Sequence, residues 1–276
     1  MSVRQFRETA EQAALEAGAL IFQRYEQKRH AWYKSHREVA TQTDKDVEAL
    51  IRSIIKRKYP AHQFLGEESA AGSIRQGTVS KAKPRKSKDN GAKKYRWVVD
   101  PIDGTANFAR HIPWFCCSIA LEQDGKVIVG VVYDPLHKEL FSADAEGQAM
   151  LNGKPLRVSE RKLKDGLISI AAGFTNKDIL KYSKYVGPIN SSCKRIRDTG
   201  SMTLELCYVA AGRYDASVKV KQHYWDYAAA ALIIERAGGR VTDFADKPIN
   251  QRSKQVVASN GVMHDELLKL IKKSLR

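Results

Sequence analysis

The sequence is poor in the features that mark several protein classes. Its four cysteines, Cys116, Cys117, Cys193 and Cys207, include no CxxC pair, and two of them are adjacent. That is a poor disulfide framework, so the thiols read as reduced packing residues. A long uninterrupted apolar run is also missing. The opening stretch MSVRQFRETAEQAALEAGALIFQRY is amphipathic and broken by charges. It has the pattern of neither a signal peptide nor a membrane span, and the expectation is a cytoplasmic protein with no membrane partner. Internal repeats and long linkers are absent too. Acidic residues are the minority: 31 Asp and Glu face 47 Lys and Arg, a formal charge of +16. Such an excess favours anionic partners, whether a phosphorylated metabolite, nucleic acid or an acidic membrane surface, and is silent about fold. Part of it is local. The stretch KAKPRKSKDNGAKK, residues 81–94, holds seven Lys or Arg and one Asp but no aromatic residue. Without a stacking platform it reads as a basic loop, an insertion over 72–94, and nucleic acid stays a secondary partner.

What is present is a layered α/β pattern. At 276 residues the chain is long enough for one large domain with a sizeable core. Apolar spacing predicts a helix over 4–28 and a second in TDKDVEALIRSIIKRKY, opened by Thr43 or Asp44 and closed before Pro60. Short β-rich runs follow: QFLG, YRWVVD, FCCSIALEQ, KVIVGVVYD and ELFSADA, with a hairpin turn at Asp124-Gly125. From LISIAAG onward strands and helices alternate, ending in a helix from His264. The expectation is a single domain over 1–276, with an α+β half to about residue 155 and an α/β half over 156–276.

The chemistry concentrates in WVVDPIDGTANF, residues 97–108, where an apolar strand delivers Asp100 and Asp103 at one point. Pro101 lacks an N–H and biases Asp100 to an extended conformation, so the strand is predicted to end there. A helix opening at Gly104-Thr105 would present unpaired amides and partial positive charge beside the two carboxylates. Phosphate could bind those amides only if cations bridged it to the aspartates, which otherwise repel it. Two more acidic termini join them: Glu67 and Glu68 in GEES, after the run QFL, and Asp226 at the head of YAAAALIIERAGG. Ligand sites in α/β folds gather at such strand ends and helix N-termini. A cluster of oxygen donors there suits Mg²⁺.

With TQTD, GEES, WVVDPIDGTANF, GVVYDP, LNGKPLRVS, DTGSMTLELCYVAAGRYDA, WDYAAAALIIERAGG and VVASN in this order, the sequence resembles the inositol monophosphatase family of Mg²⁺-dependent, lithium-sensitive phosphatases. The resemblance implies an α/β fold of five layers, an αβαβα sandwich of the inositol monophosphatase and fructose-1,6-bisphosphatase type. It implies two or three Mg²⁺ ions on Glu67, Asp100, Asp103, Asp226 and the Ile102 carbonyl. Thr105, supported by Asp44, would orient and help deprotonate the metal-activated water, which attacks phosphorus directly with Glu67 among the catalytic acids. Gly104 and Thr105 amides would hold phosphate, Gly200 and Ser201 would lie on the substrate side, and Glu68 would support or cap. The family commonly forms homodimers, and a homodimer is expected.

This chain departs from the pattern at one position. Inositol-selective members carry a glutamate seven residues before the WD aspartate, and Lys219 stands there. Charge reversal at a hydroxyl-binding position favours a second anionic group on the substrate, and Lys219 and Lys221 would share one face of a strand. Lys34 is expected near the metal site. The resulting expectation is a phosphomonoesterase for a small phosphorylated metabolite: an inositol monophosphate, fructose 1,6-bisphosphate or a phosphorylated nucleotide. The alternative is a nucleic-acid or transcription-complex binding protein that keeps the phosphatase scaffold, against which the complete acid set argues.

Overall fold

A computed structural model describes residues 2–27, 31–33, 39–70, 93–171, 176–220 and 222–275. Lys34, Lys221 and all of the basic insertion except Lys93 and Lys94 lie outside those residues. Helix α1 (Val3–Tyr25) opens on a reciprocal pair: Ser2 Oγ accepts the Gln5 N–H and the Gln5 side chain accepts the Ser2 N–H. Its small residues Ala10, Ala13, Ala14 and Ala17 form a buried face, and helix α2 (Gln42–Lys58) buries Val47, Ile51, Ile54 and Ile55. The start of α2 differs from expectation. Its cap is Thr41, the last residue of a short strand pair, β1 (Ala31–Tyr33) with β2 (Val39–Thr41), and Asp44 reaches back to it from within the first turn.

Both helices cover one face of a seven-stranded sheet whose strands lie in chain order: β3 (Gln63–Gly66), β4 (Tyr95–Asp103), β5 (Cys116–Gln123), β6 (Lys126–Asp134), β7 (Glu139–Asp144), β8 (Met150–Leu151) and β9 (Lys154–Pro155). Only the β3–β4 pair in it is parallel. Trp97, Val99, Ile119, Leu121, Val129 and Val131 point to the α1–α2 side, while Val98, Ala120 and Val132 point to the other. With both faces covered, these strands read as continuous apolar runs, which is why YRWVVD shows no alternation.

The second sheet has the order β11 (Arg195–Arg197), β10 (Leu167–Ala171), β12 (Ala216–Val220), β14 (Gln255–Ser259), β13 (Arg240–Thr242). Between the sheets lie α5 (Met202–Ala210) and α6 (Ala228–Arg236), both almost wholly buried. On the outer face of the second sheet, α4 (Asn176–Ser192) and α7 (His264–Ser274) pack over Ile168, Ile170, Val218 and Val257. The stack is therefore helix, sheet, helix, sheet, helix: the five-layer αβαβα sandwich. The short helix α3 (Thr105–Ala109) leaves the end of β4 and buries Phe108 in the core on the α1–α2 side before the chain enters β5.

Among the described residues no helix is long and apolar enough to cross a membrane.

Candidate active site

Strand β4 does not stop at Asp100. It runs through Pro101 to Asp103, and its pairing with β5 slips: Asp100 faces Ser118 whereas Asp103 faces Cys116. Three steps on β4 match two on β5, so one extra residue is accommodated as a bulge. Regular alternation would send residues 100 and 103 to opposite faces. The bulge removes that conflict, and both carboxylates line the same pocket. Gly104 then takes φ of 92°, a left-handed conformation that a side chain would strain, and delivers Thr105 as the first residue of α3.

The pocket is a cavity of about 260 Å³ walled by both sheets and the middle layer. Parallel pairing of β3 with β4 sets Gly66 opposite Val99, so the helical turn over 67–70 begins beside the β4 aspartates and brings Glu67 into the pocket. Asp226 arrives from a 3-10 turn, Tyr224–Asp226, ahead of α6; it is not the cap of α6, a place held by Tyr227. Its Oδ2 accepts the His223 N–H at 2.7 Å, and its carbonyl accepts the Thr203 hydroxyl at 2.7 Å. Asp103 Oδ2 accepts the Ser201 hydroxyl at 2.6 Å and the Thr203 N–H at 2.7 Å at the start of α5. Asp100 Oδ1 accepts the Ile102 N–H at 3.1 Å.

The electrostatics of this cluster follow from burial and like charge. Burial, then the charges of Glu67, Asp103 and Asp226, hold the Asp100 carboxyl well above the usual carboxylate range. Burial pushes Asp103 up to about 6, against the hydrogen bonds from Ser201 and Thr203 that favour its ionised form. A divalent cation would relieve that repulsion, and the donors fit one: carboxylates of Glu67, Asp100, Asp103 and Asp226 and the Ile102 carbonyl are all hard oxygen ligands. Among the described residues no group of three or more His, Cys, Asp or Glu side chains stands placed to hold a metal ion by itself. The acids line a shared wall, an arrangement compatible with a hydrated ion that keeps several waters.

Thr105 sits at the mouth of this cluster. Its hydroxyl lies 3.0 Å from Asp44 Oδ1 and 2.8 Å from the Ile102 carbonyl, two acceptors for one proton. Asp44 is fully buried on α2, and its Oδ2 accepts the N–H and hydroxyl of Thr41 at 2.7 and 2.5 Å. Burial, with the charges of Glu67 and Glu68, raises Asp44 to about 7 despite those bonds. Asp44 thus has the affinity of a near-neutral proton acceptor and is one hydrogen bond from a pocket hydroxyl.

Gly200, Ser201 and Lys219 line the pocket as expected, but Lys219 is not a free cation. Its ammonium is paired with Glu205 of α5, and the two side chains are 0% and 1% exposed. Glu205 also accepts the Thr199 N–H at 2.6 Å and its hydroxyl at 2.7 Å, fixing the loop that carries Gly200 and Ser201. Asp198 stands on the same wall. Sequence reasoning missed Glu205, Thr203 and Asp198. The legible signal was a glutamate inside the otherwise apolar helix MTLELCYVA. Glu68 lies apart, on a separate cavity with Lys45, Glu48 and Arg52.

Fold and site together define a five-layer αβαβα protein with a carboxylate-walled pocket between its two sheets. The sequence pattern of the inositol monophosphatase family matches residues 2–276, and the chain belongs to that family. It is 36% identical over 276 residues to inositol monophosphatase 3 of Solanum lycopersicum, covering 98% of this chain and 97% of that one. It is 38% identical over 256 residues to Nus factor SuhB of Escherichia coli K12, covering 91% and 90%. The crystal structure of the extragenic suppressor protein suhB from Bartonella henselae superposes with a TM-score of 0.84 at 30% identity, over 96% and 98% of the two chains.

Proposed function

We propose that the protein is a Mg²⁺-dependent phosphomonoesterase acting on a small phosphorylated metabolite. The observation that carries this reading is the convergence of Glu67, Asp100, Asp103 and Asp226 on one pocket, with the Thr105–Asp44 pair at its edge. Glu67, Asp100, Asp103, Asp226 and the Ile102 carbonyl would hold two or three Mg²⁺ ions, which when bound offset phosphoryl charge and acidify water. The chain's own residues supply orientation and proton traffic. Thr105 donates to Asp44, so its lone pairs face the pocket and accept from a water that attacks phosphorus in line. As that water loses its proton, Thr105 passes its own to Asp44. Amides of Gly104 and Thr105 receive the phosphate, and Gly200 and Ser201 border the leaving group.

The substrate reading shifts from the one the sequence favours. A lone lysine at 219 would select a second phosphate, but Glu205 already matches its charge. Among the described residues around the leaving-group end, Asp198 and Glu205 outnumber Lys219. Against these described residues, which carry no surplus positive charge, a second phosphate would be desolvated without compensation, which favours a hydroxylated, uncharged leaving group. An inositol monophosphate fits this better than fructose 1,6-bisphosphate or a nucleotide bisphosphate. Phosphate release should be compared across inositol 1-phosphate, fructose 1,6-bisphosphate, 3′-phosphoadenosine 5′-phosphate, NADP and histidinol phosphate, with Mg²⁺ and with added Li⁺. A kcat/KM highest for inositol 1-phosphate supports the reading, and preference for a bisphosphate overturns it.

A second role is favoured by a separate observation, the 38% identity to a protein named as a Nus factor, together with the +16 charge. In this reading the scaffold also binds a transcription complex. RNA affinity that persists at near-physiological salt supports it; binding that vanishes there rejects it. A cytoplasmic homodimer is the accompanying proposal, checked by light scattering.

A further inference from the structure

Glu48 is a buried carboxylate that the catalytic reading does not use. It lies on α2 one helical turn after Asp44, and its side chain is 6% exposed. It does not line the pocket of the four acids. Instead it reaches across to the end of β3. Its Oε2 accepts the Glu68 N–H at 2.8 Å, its Oε1 accepts the Ser69 N–H at 3.2 Å, and Arg52 holds Oε1 at 3.1 Å. The two amides belong to the short helical turn whose first residue is Glu67. A carboxylate on such first-turn amides fixes where the turn starts and how it is oriented. Gly66 is what lets it approach so closely: a Cβ there would stand 2.3 Å from the Glu48 carboxylate.

We propose that Glu48 is a positioning residue for Glu67, setting the metal affinity of the site from outside it. One face of α2 then supports both parts of the machinery: Asp44 holds Thr105 directly, and Glu48 holds the backbone from which Glu67 projects. Glu67 projects from the first residue of this turn, directly after β3, so the hold on the Glu68 and Ser69 amides bears on its aim toward Asp100. This inference rests on the metal-site reading of the preceding section.

Two variants test it. Glu48→Gln keeps the size of the side chain but replaces one acceptor oxygen with a donor that faces the amides. Gly66→Ala leaves Glu48 in place chemically and displaces its carboxylate; the collision falls on the flexible end of a side chain, so the fold is retained. Mg²⁺ affinity is measured by titration calorimetry and metal-free stability by thermal unfolding. Both variants should bind Mg²⁺ about tenfold more weakly, the scale seen when support of a metal ligand is removed. Unchanged Mg²⁺ affinity in Gly66→Ala overturns the proposal, as does a fall in unfolding temperature in both variants with affinity preserved, which would make Glu48 a purely structural cap. Should Glu48→Gln fail to fold, Gly66→Ala decides alone. Absence of Mg²⁺ binding by the unaltered protein is a different failure, that of the metal reading itself.

Discussion

The Lys219 ammonium and the Glu205 carboxylate form an ion pair sealed from solvent at the wall of the pocket. The pair joins β12 of the second sheet to α5 of the middle layer, and through Thr199 it fixes the loop that leads to Ser201 and Asp103. Removing one partner leaves the other charged and buried. Lys219→Met should therefore cost about 3–5 kcal/mol of stability, measured by urea unfolding. The exchange Lys219→Glu with Glu205→Lys should recover most of that loss. Equal stability of Lys219→Met and the unaltered protein would contradict the pairing.

Asp44 gives a pH dependence whose sign can be worked out. Its carboxyl has an ordinary value of 3.8 and rises to about 7 in the folded protein, mainly through burial. A raised acid binds its proton more tightly when folded, so its contribution is complete below 3.8 and is lost as pH rises through about 7. The metal-free protein should lose stability across that window, and Asp44→Asn should flatten the curve. Activity should move the opposite way, falling with acidification as Asp44 takes up a proton and can no longer accept one from Thr105. Bound cations, by offsetting Glu67, should displace the limb to lower pH.

Thr105→Ala should lower kcat by about 100-fold, the lower end of the range for a proton-handling group. The Thr105 hydroxyl bonds Asp44 and the Ile102 carbonyl, so Mg²⁺ affinity by calorimetry should be largely spared while kcat falls. A matching loss of metal affinity would assign Thr105 to the metal site and not to the water.

Burial, and then the like charges of Glu67, Asp103 and Asp226, raise the Asp100 carboxyl. Asp100→Asn should consequently raise the unfolding temperature in chelator while abolishing the further rise that Mg²⁺ gives. For the unaltered protein, Mg²⁺ at about 100 times its Kd should add about 2.7 kcal/mol. A stabilised variant that still responds fully to Mg²⁺ would remove Asp100 from the ligands.

Much of this was legible in the sequence because it is local. The strand runs, the hairpin at Asp124-Gly125, the alternation after Leu167 and the helix at Thr105 follow from short-range preferences. The family motifs added which distant segments meet. What stayed hidden depends on pairing across the fold. The bulge that turns Asp100 and Asp103 to one side is a register between β4 and β5, and Pro101 alone reads as a strand end. Thr41 caps α2 because the β1–β2 pair places it there, where Thr43 and Asp44 were equally good candidates by residue type. Asp226 looks like a helix cap but ends a 3-10 turn. Lys219 reads as a free cation until Glu205, 14 residues earlier and in another layer, is seen against it.

The measurement that reaches furthest is the initial rate of phosphate release from inositol 1-phosphate as Mg²⁺ is titrated, for the unaltered protein and for Asp103→Asn. Saturable, Mg²⁺-dependent release that disappears in the variant is the predicted result. Release that is indifferent to Mg²⁺, or that survives loss of the Asp103 carboxylate, would contradict a phosphatase built on these acids.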